Sequence, residues 1–195
     1  MARTGLKSAK YNFLDYETKK YKALADGQVP ELEAIIDEKA NVEFNSAELY
    51  AGDELAESDY SFKKGTISIT VANDDDKKDA ELLGNTYSTE GEVTRNIADT
   101  SPEIGYGHIV TKQVNGKKQY KVEFFPRVKF TKITTDGKTR GESVEFGTTA
   151  IEGVIYPLGE AFNGMSEGDW EKHQTFNTQE EAKNYLDACL TPSAS

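Results

Sequence analysis

The stretch from Ile104 to Leu158 constrains this chain most, because it lays down strand-like runs joined by turns that fix how those runs pair. Ile104-Gly-Tyr-Gly-His-Ile-Val-Thr-Lys-Gln-Val114 is followed by Asn115-Gly116 and then by Lys117 to Phe125. Asn-Gly between alternating runs is the strongest short-range hairpin signal, since both central residues of the favoured turn need positive φ. A tight two-residue turn is therefore expected there. After Pro126, the run Arg127-Val-Lys-Phe-Thr-Lys-Ile133 puts Val128 and Phe130 on one face and Arg127, Lys129 and Thr131 on the other. Ile133 falls out of that phase, which predicts a strand end or bulge near Lys132. Pro126 has no N–H to give to a ladder and so marks a strand start, a bulge or an edge. Asp136-Gly137 turns the chain into Glu142 to Leu158, where Val144 and Phe146 alternate with Glu145 until Gly147, the expected site of another bulge.

The remainder reads as more strands and two helices. Phe62 to Ala72 is the cleanest amphipathic strand, with Ile67, Ile69 and Val71 alternating with Thr66, Ser68 and Thr70. Asn41 to Tyr50 has a period of two that slips near Asn45-Ser46, as a bulge would make it. Val29 to Lys39 follows Pro30 and could form a short helix, but an extended edge fits its strand neighbours better. Gly52 to Ser61 is acidic and longer than a hairpin turn needs, so it is expected to be a polar loop with a role of its own. Asn73 is placed to cap a helix over Asp74 to Leu83, with acids in its first turn and Gly84 as its stop. A second helix spans Gln179 to Leu190, with Thr178 and Glu181 forming a capping box and Ala182, Tyr185, Leu186 and Cys189 making one stripe. Met1 to Gln28 shows little period and reads as an N-terminal arm.

The expected organisation is one mainly β (α+β) domain. It comprises an arm over residues 1–28, a β-sandwich or partly open barrel over 29–160 with the loop 52–61 and a flanking helix 74–83, and an extension over 161–195 carrying the helix 179–190. A length of 195 residues suits a single sizeable core. The formal net charge of −11 repels polyanions, so binding to a phosphate backbone through the overall field is not expected, whereas close passage of DNA without sticking is compatible with it. No apolar run approaches the roughly 20 residues of a membrane helix, and the basic Met1 to Lys10 has no apolar segment behind it, which predicts a cytoplasmically made chain without membrane partners. A single cysteine, Cys189, leaves no disulfide framework and no multi-cysteine zinc set within one chain.

Candidate chemistry is sparse. Gly164-Met-Ser166-Glu-Gly168 matches the G-x-S-x-G pattern and His173 follows it, but an elbow needs an apolar strand before the serine and a helix after it, and neither is present. A glycine-rich surface turn is the plainer reading. His108 and His173 are the only histidines, and with Cys189 they do not give a zinc set at a recognised spacing. Asp74-Asp75-Asp76 lacks the glycine and closing glutamate of a calcium loop and suits a helix N-terminus. The expectation is no catalytic residue, no metal site and no cofactor.

The opening Met1-Ala-Arg-Thr-Gly-Leu-Lys, the segment Ala47-Glu-Leu-Tyr-Ala-Gly-Asp, and Gly65-Thr-Ile-Ser-Ile-Thr-Val followed by a helix ending Ala80-Glu-Leu-Leu-Gly84 are similar to the major tail protein of long-tailed siphophages of Gram-positive bacteria. Ile104-Gly-Tyr-Gly-His, the run from Phe124 to Phe130, Gly141 to Gly153 and the closing Phe176 with its helix follow in the order that family uses. The resemblance covers nearly the whole chain, and its specificity lies in that order, because no single segment is chemically diagnostic.

The resemblance implies a structural virion protein and no enzyme: hexameric rings stacked into a non-contractile tail tube that conducts genomic DNA without binding it specifically. It implies assembly in the host cytoplasm with further copies of itself and with tape measure, tail terminator and distal tail proteins. On that footing Leu6 and Tyr11 of the arm, with Asp53, Glu54, Glu57, Asp59 and Tyr60 of the acidic loop, are candidates for subunit or ring contacts. Glu43, Glu142, Glu145 and Glu152 are candidates for an acidic lumen wall, although alternation alone leaves the inward face open. Rival readings are the tube protein of a contractile tail or secretion needle, and a carbohydrate-binding β-sandwich, against which the scarcity of tryptophan counts.

Overall fold

A computed structural model describes residues 2–24, 26–51, 54–72, 75–114, 116–135 and 148–193, with the backbone alone for 2–4, 47–51 and 54–59. Asp136-Gly137 and the segment holding Glu142, Val144, Glu145, Phe146 and Gly147 lie outside the described residues.

The hairpin anticipated at Asn115-Gly116 is the centre of the fold. β8 (Glu103–Val114) and β9 (Lys117–Thr135) pair antiparallel from Val114↔Lys117 back to Glu103↔Lys129. Their ladder shifts once, between Ile104↔Val128 and Tyr106↔Phe125, so that Pro126 and Arg127 together face Gly105. Pro126 thus sits in a bulge, where its missing N–H costs no ladder bond. A second shift, beside Thr131, accounts for the phase slip at Ile133.

Around this hairpin runs an antiparallel sheet. β1 (Ala2–Asp15) pairs with β8, β10 (Thr149–Ile155) with β9, β5 (Glu54–Val71) with β10, and β4 (Ile35–Ala51) with β5. Short strands β2 (Lys20–Tyr21) and β3 (Glu31–Leu32) add to β1, and β11 (Lys172–Phe176) adds to β9, giving nine strands. β6 (Thr86–Tyr87) and β7 (Val93–Thr94) form a separate small pair. The sheet curls until the β4 end comes back beside β1, with Cα atoms within 8 Å, yet no ladder joins these two strands among the described residues. The architecture is a partly open barrel, mainly β with two helices, as the sequence predicts.

Two apolar layers follow from strand alternation. Ile67, Ile69, Ile104, Tyr106, Val128, Phe130 and Ile151 fill the inside of the curl, where α1 (Asp76–Leu83) adds Leu82. α2 (Gln179–Leu190) lays Ala182, Leu186 and Leu190 against Ile109, Val122 and Phe124 on the other face. Each leucine so buried stabilises by about 1.5–3 kcal/mol. Gly107 permits that docking, because a Cβ built there would lie 2.5 Å from Leu186 Cδ1 and 3.1 Å from the Glu123 carbonyl. The signals of α2 and the stop of α1 hold in detail. Thr178 accepts from the Glu181 N–H and Glu181 reaches back to the Thr178 N–H, while Gly84 ends α1 at φ 72°. Among the described residues no helix is long and apolar enough to cross a membrane.

Three expectations change. Residues 2–15, read as an arm, form β1 inside the sheet, because alternating Ala9, Tyr11 and Phe13 match the inward face of β8. Gly52 to Ser61 is not a loop over its described length: Glu54 to Ser61 belong to β5, paired with β4 as far as Ala51↔Glu54. The cap of α1 is Asp75, whose carboxylate accepts from the Lys78 N–H at 3.2 Å; Asn73 and Asp74 lie outside the described residues.

Candidate assembly surface

The longest feature not explained by the core is the β4–β5 hairpin. β5 has β10 as its second neighbour only from Gly65↔Ile155 to Val71↔Thr149. Beyond Val42↔Gly65 the two strands continue alone to Ala51↔Glu54 as a two-stranded ribbon. The ladder shifts between Glu43↔Lys64 and Phe44↔Phe62, so Lys63 is the extra residue of a bulge where the ribbon leaves the sheet.

At the root of the ribbon three rings meet. Phe44 and Phe62, partners across the hairpin, lie 6.5 Å apart edge to face, and Trp170 reaches both, at 6.2 Å and 5.5 Å. Trp170 is half-buried against the interior cluster and anchors the ribbon to the body. Phe44 remains 51% exposed and Tyr60, further out, 64% exposed. Exposed aromatic side chains beside unpaired strand edges are the composition of a contact surface. Among the strand edges that carry unpaired backbone in the described residues are the outer side of β4, and β1 before Ala9, where β3 begins to cover it.

The sequence candidates distribute as follows. Tyr60 lies on the ribbon, exposed; Glu54, Glu57 and Asp59 are on its β5 strand; Asp53 lies outside the described residues. Leu6 is half-buried on β1 opposite Val110. Tyr11 is 1% exposed in the interior cluster, and its N–H donates to the Pro30 carbonyl, so it is a core residue and not a contact residue. Glu43 and Glu152 are exposed, but each lies beside a lysine, Lys63 at 3.5 Å and Lys132 at 3.9 Å. The outward groove over β4, β5 and β10 carries Lys39, Lys64, Thr66 and Ser68 around Glu152 and is mixed in sign. Glu142 and Glu145 lie outside the described residues.

Ser166 sits in a surface turn. Phe162 and Met165 exchange backbone bonds, the Ser166 N–H donates to Asp169 Oδ2 at 3.0 Å, and exposed strand β11 follows in place of a helix. His173 points to Glu171, Nδ1 to Oε1 being 3.2 Å. Cys189 is half-buried on α2, and burial pushes its thiol up. Among the described residues no His, Cys, Asp and Glu side chains converge as a metal set.

No protein-family model matches the chain, and no curated protein matches it. Among solved structures, the tube-terminating cap of the anti-feeding prophage overlaps it with a TM-score of 0.45 and 8% identity over 90% of this chain and 95% of that one. The SPP1 tail tube overlaps with a TM-score of 0.41 and 13% identity over 91% of this chain and 83% of that one. At these scores and identities neither overlap fixes the fold or the function.

One polar cluster has no counterpart in the sequence reading. The His108 ring, inside the curl, lies between Glu38 of β4 and Glu123 of β9. Its Glu123 half was within reach, because equal steps back from the Asn-Gly turn bring residue 108 opposite residue 123. The Glu38 half arises only when the sheet curls, and no local pattern announces it.

Proposed function

We propose that this chain is the structural subunit of a non-contractile phage tail tube, assembling into hexameric rings that stack around a channel for DNA. The observation that carries the reading is the β4–β5 ribbon. Two strands alone in water are marginally stable, so a long ribbon with exposed Phe44 and Tyr60 is best accounted for by a neighbouring subunit that covers it. The unpaired edges of β1 and β4 differ from each other, and joining one to the other between copies is a head-to-tail contact, the kind that closes rings and removes exposed edges. The order of segments similar to the siphophage major tail protein supports the same reading.

In this account the ribbon, with Glu54, Glu57, Asp59 and Tyr60, reaches the adjoining ring, and Leu6 lies at the contact between subunits. The polar face bearing Glu43 and Glu152 lines the channel. Its lysines limit how acidic that wall is, while the overall charge of −11 still disfavours lasting attachment of phosphates. Tape measure, terminator and distal tail proteins are the partners of such a tube, and neither catalysis nor a cofactor enters its action.

Negative-stain electron microscopy of the purified protein at rising concentration, with light scattering to count subunits, tests the proposal. Sixfold rings or hollow tubes are the expected result. A monomer that also fails to join tubes when supplied with tail-tip complexes would overturn it.

A further inference from the structure

His108 is 1% exposed, at a position where the strand alternation of β8 turns it into the curl. Its Nε2 lies 3.2 Å from Glu123 Oε2, and Glu123 is also held by Lys121, Nζ to Oε1 being 2.5 Å. Its Nδ1 lies 2.8 Å from Glu38 Oε2, but this contact is poorly directed as a hydrogen bond, so its attraction is chiefly between charges. The Glu38 side chain is 4% exposed and, among the described residues, the only cation at ion-pair distance from it is His108. Glu123 is a ladder neighbour of His108, whereas Glu38 comes from the strand at the other end of the sheet path. The contact therefore spans the seam between β4 and β1, which no ladder closes among the described residues.

We propose that Glu38, His108 and Glu123 form a protonation-controlled latch that holds the beginning of β4 across this seam, and that loss of the His108 proton frees β4. A doubly protonated imidazole satisfies both carboxylates. A neutral imidazole keeps one N–H, and the better directed bond keeps it on Nε2 toward Glu123. The Nδ1 lone pair then faces the Glu38 carboxylate, and a buried carboxylate without a partner is costly enough to leave for water. Glu123 stays, because Lys121 remains.

Among the described residues, the groups around the ring offer Glu38 no substitute cation at ion-pair distance. β1 places Ala9 opposite the ring and Tyr11 opposite Tyr106. Tyr106 stacks on His108 with centroids 6.0 Å apart, and burial, then the charge of Glu38, keeps its hydroxyl protonated well above the usual range. β11 brings His173 into register with Glu123, but that ring turns to Glu171. For His108 itself burial opposes the charged form, and the attraction of Glu123 and Glu38 outweighs it, leaving the ring with a raised pKa.

The chain has two histidines, so a His173→Asn variant leaves His108 as the single imidazole signal for NMR titration. In that background, hydrogen exchange of the amides in residues 35–40, corrected for intrinsic rate, is followed from about pH 5 to about pH 9. The expected result is a loss of about tenfold in β4 protection with a midpoint equal to that of His108, while β8 and β9 keep theirs. Adding Glu38→Gln should abolish the pH step, because a neutral amide has no charge to strand. The latch is overturned if β4 protection does not change as His108 titrates, if His108 does not titrate in that range, if all strands lose protection together, or if the step survives in the Glu38→Gln protein.

Discussion

Arg127 grips Glu103 with a two-pronged fork, Nε lying 2.7 Å from Oε2 and Nη2 2.9 Å from Oε1. Both side chains are mostly shielded, at 27% and 20% exposure. Arg127 comes from the bulge in β9, its Nη1 also donates to the Pro157 carbonyl at 3.3 Å, and the Tyr16 hydroxyl donates to Glu103 from the turn after β1. Burial by itself would raise the Glu103 carboxyl, but the bonds from Arg127 and Tyr16 hold it below the usual range. One fork thus fixes the bulge against three segments. Replacing Arg127 by alanine is expected to cost about 2 kcal/mol in urea unfolding, and lysine, which lacks the planar fork, should recover only part of it.

Gly107 and Leu186 make a complementary pair. Gly107→Ala should lose about 1–3 kcal/mol, since the new methyl meets Leu186 and the Glu123 carbonyl. Combining it with Leu186→Ala should cost less than the two single changes together by at least about 0.5 kcal/mol, read from a double-mutant cycle.

The buried cluster gives stability a pH window with two flanks. Glu123 is held below the ordinary 4.5, burial being outweighed by His108 and Lys121, so its contribution is present above pH 4.5 and lost as pH falls through the folded value. His108 is held above the ordinary 6.5, so its contribution is present below pH 6.5 and lost as pH rises through the folded value. Urea midpoints taken across pH should show the difference between the wild type and Glu123→Gln at its greatest between 4.5 and 6.5.

The ribbon can be shortened without disturbing its register. Ala47 and Asp59 are ladder partners, so replacing residues 48–58 by Asn-Gly makes a two-residue hairpin. The shortened chain should keep its circular dichroism and its unfolding midpoint within about 0.5 kcal/mol, yet fail to form tubes in electron micrographs. Normal tubes from it would remove the ribbon from the assembly account.

Helix α2 was legible to the residue, because capping boxes and apolar stripes are local signals. The β8–β9 hairpin was legible for the same reason, the turn fixing its register, and Pro126 announced a break there without deciding between a strand start, a bulge and an edge. What escaped notice depended on distant partners. Residues 2–15 carry an alternating pattern too weak to stand out until β8 supplies the other side, and Ala9 and Tyr11 are core only because Gly107, His108 and Tyr106 receive them. The acidic stretch after Gly52 looked like a loop because charge usually marks one, and the strand it forms has β4 as its one ladder partner there among the described residues.

The placement of β1 bears on how the polypeptide matures as it is made. Ala9 pairs with His108 roughly a hundred residues downstream, so the first strand leaves the ribosome long before its neighbour exists. The β8–β9 hairpin can form as soon as it emerges, and it offers the edge onto which β1 then closes. Nascent chains waiting in that interval carry Tyr11 and Phe13 uncovered, which makes slow synthesis between those two points the period of greatest exposure to aggregation.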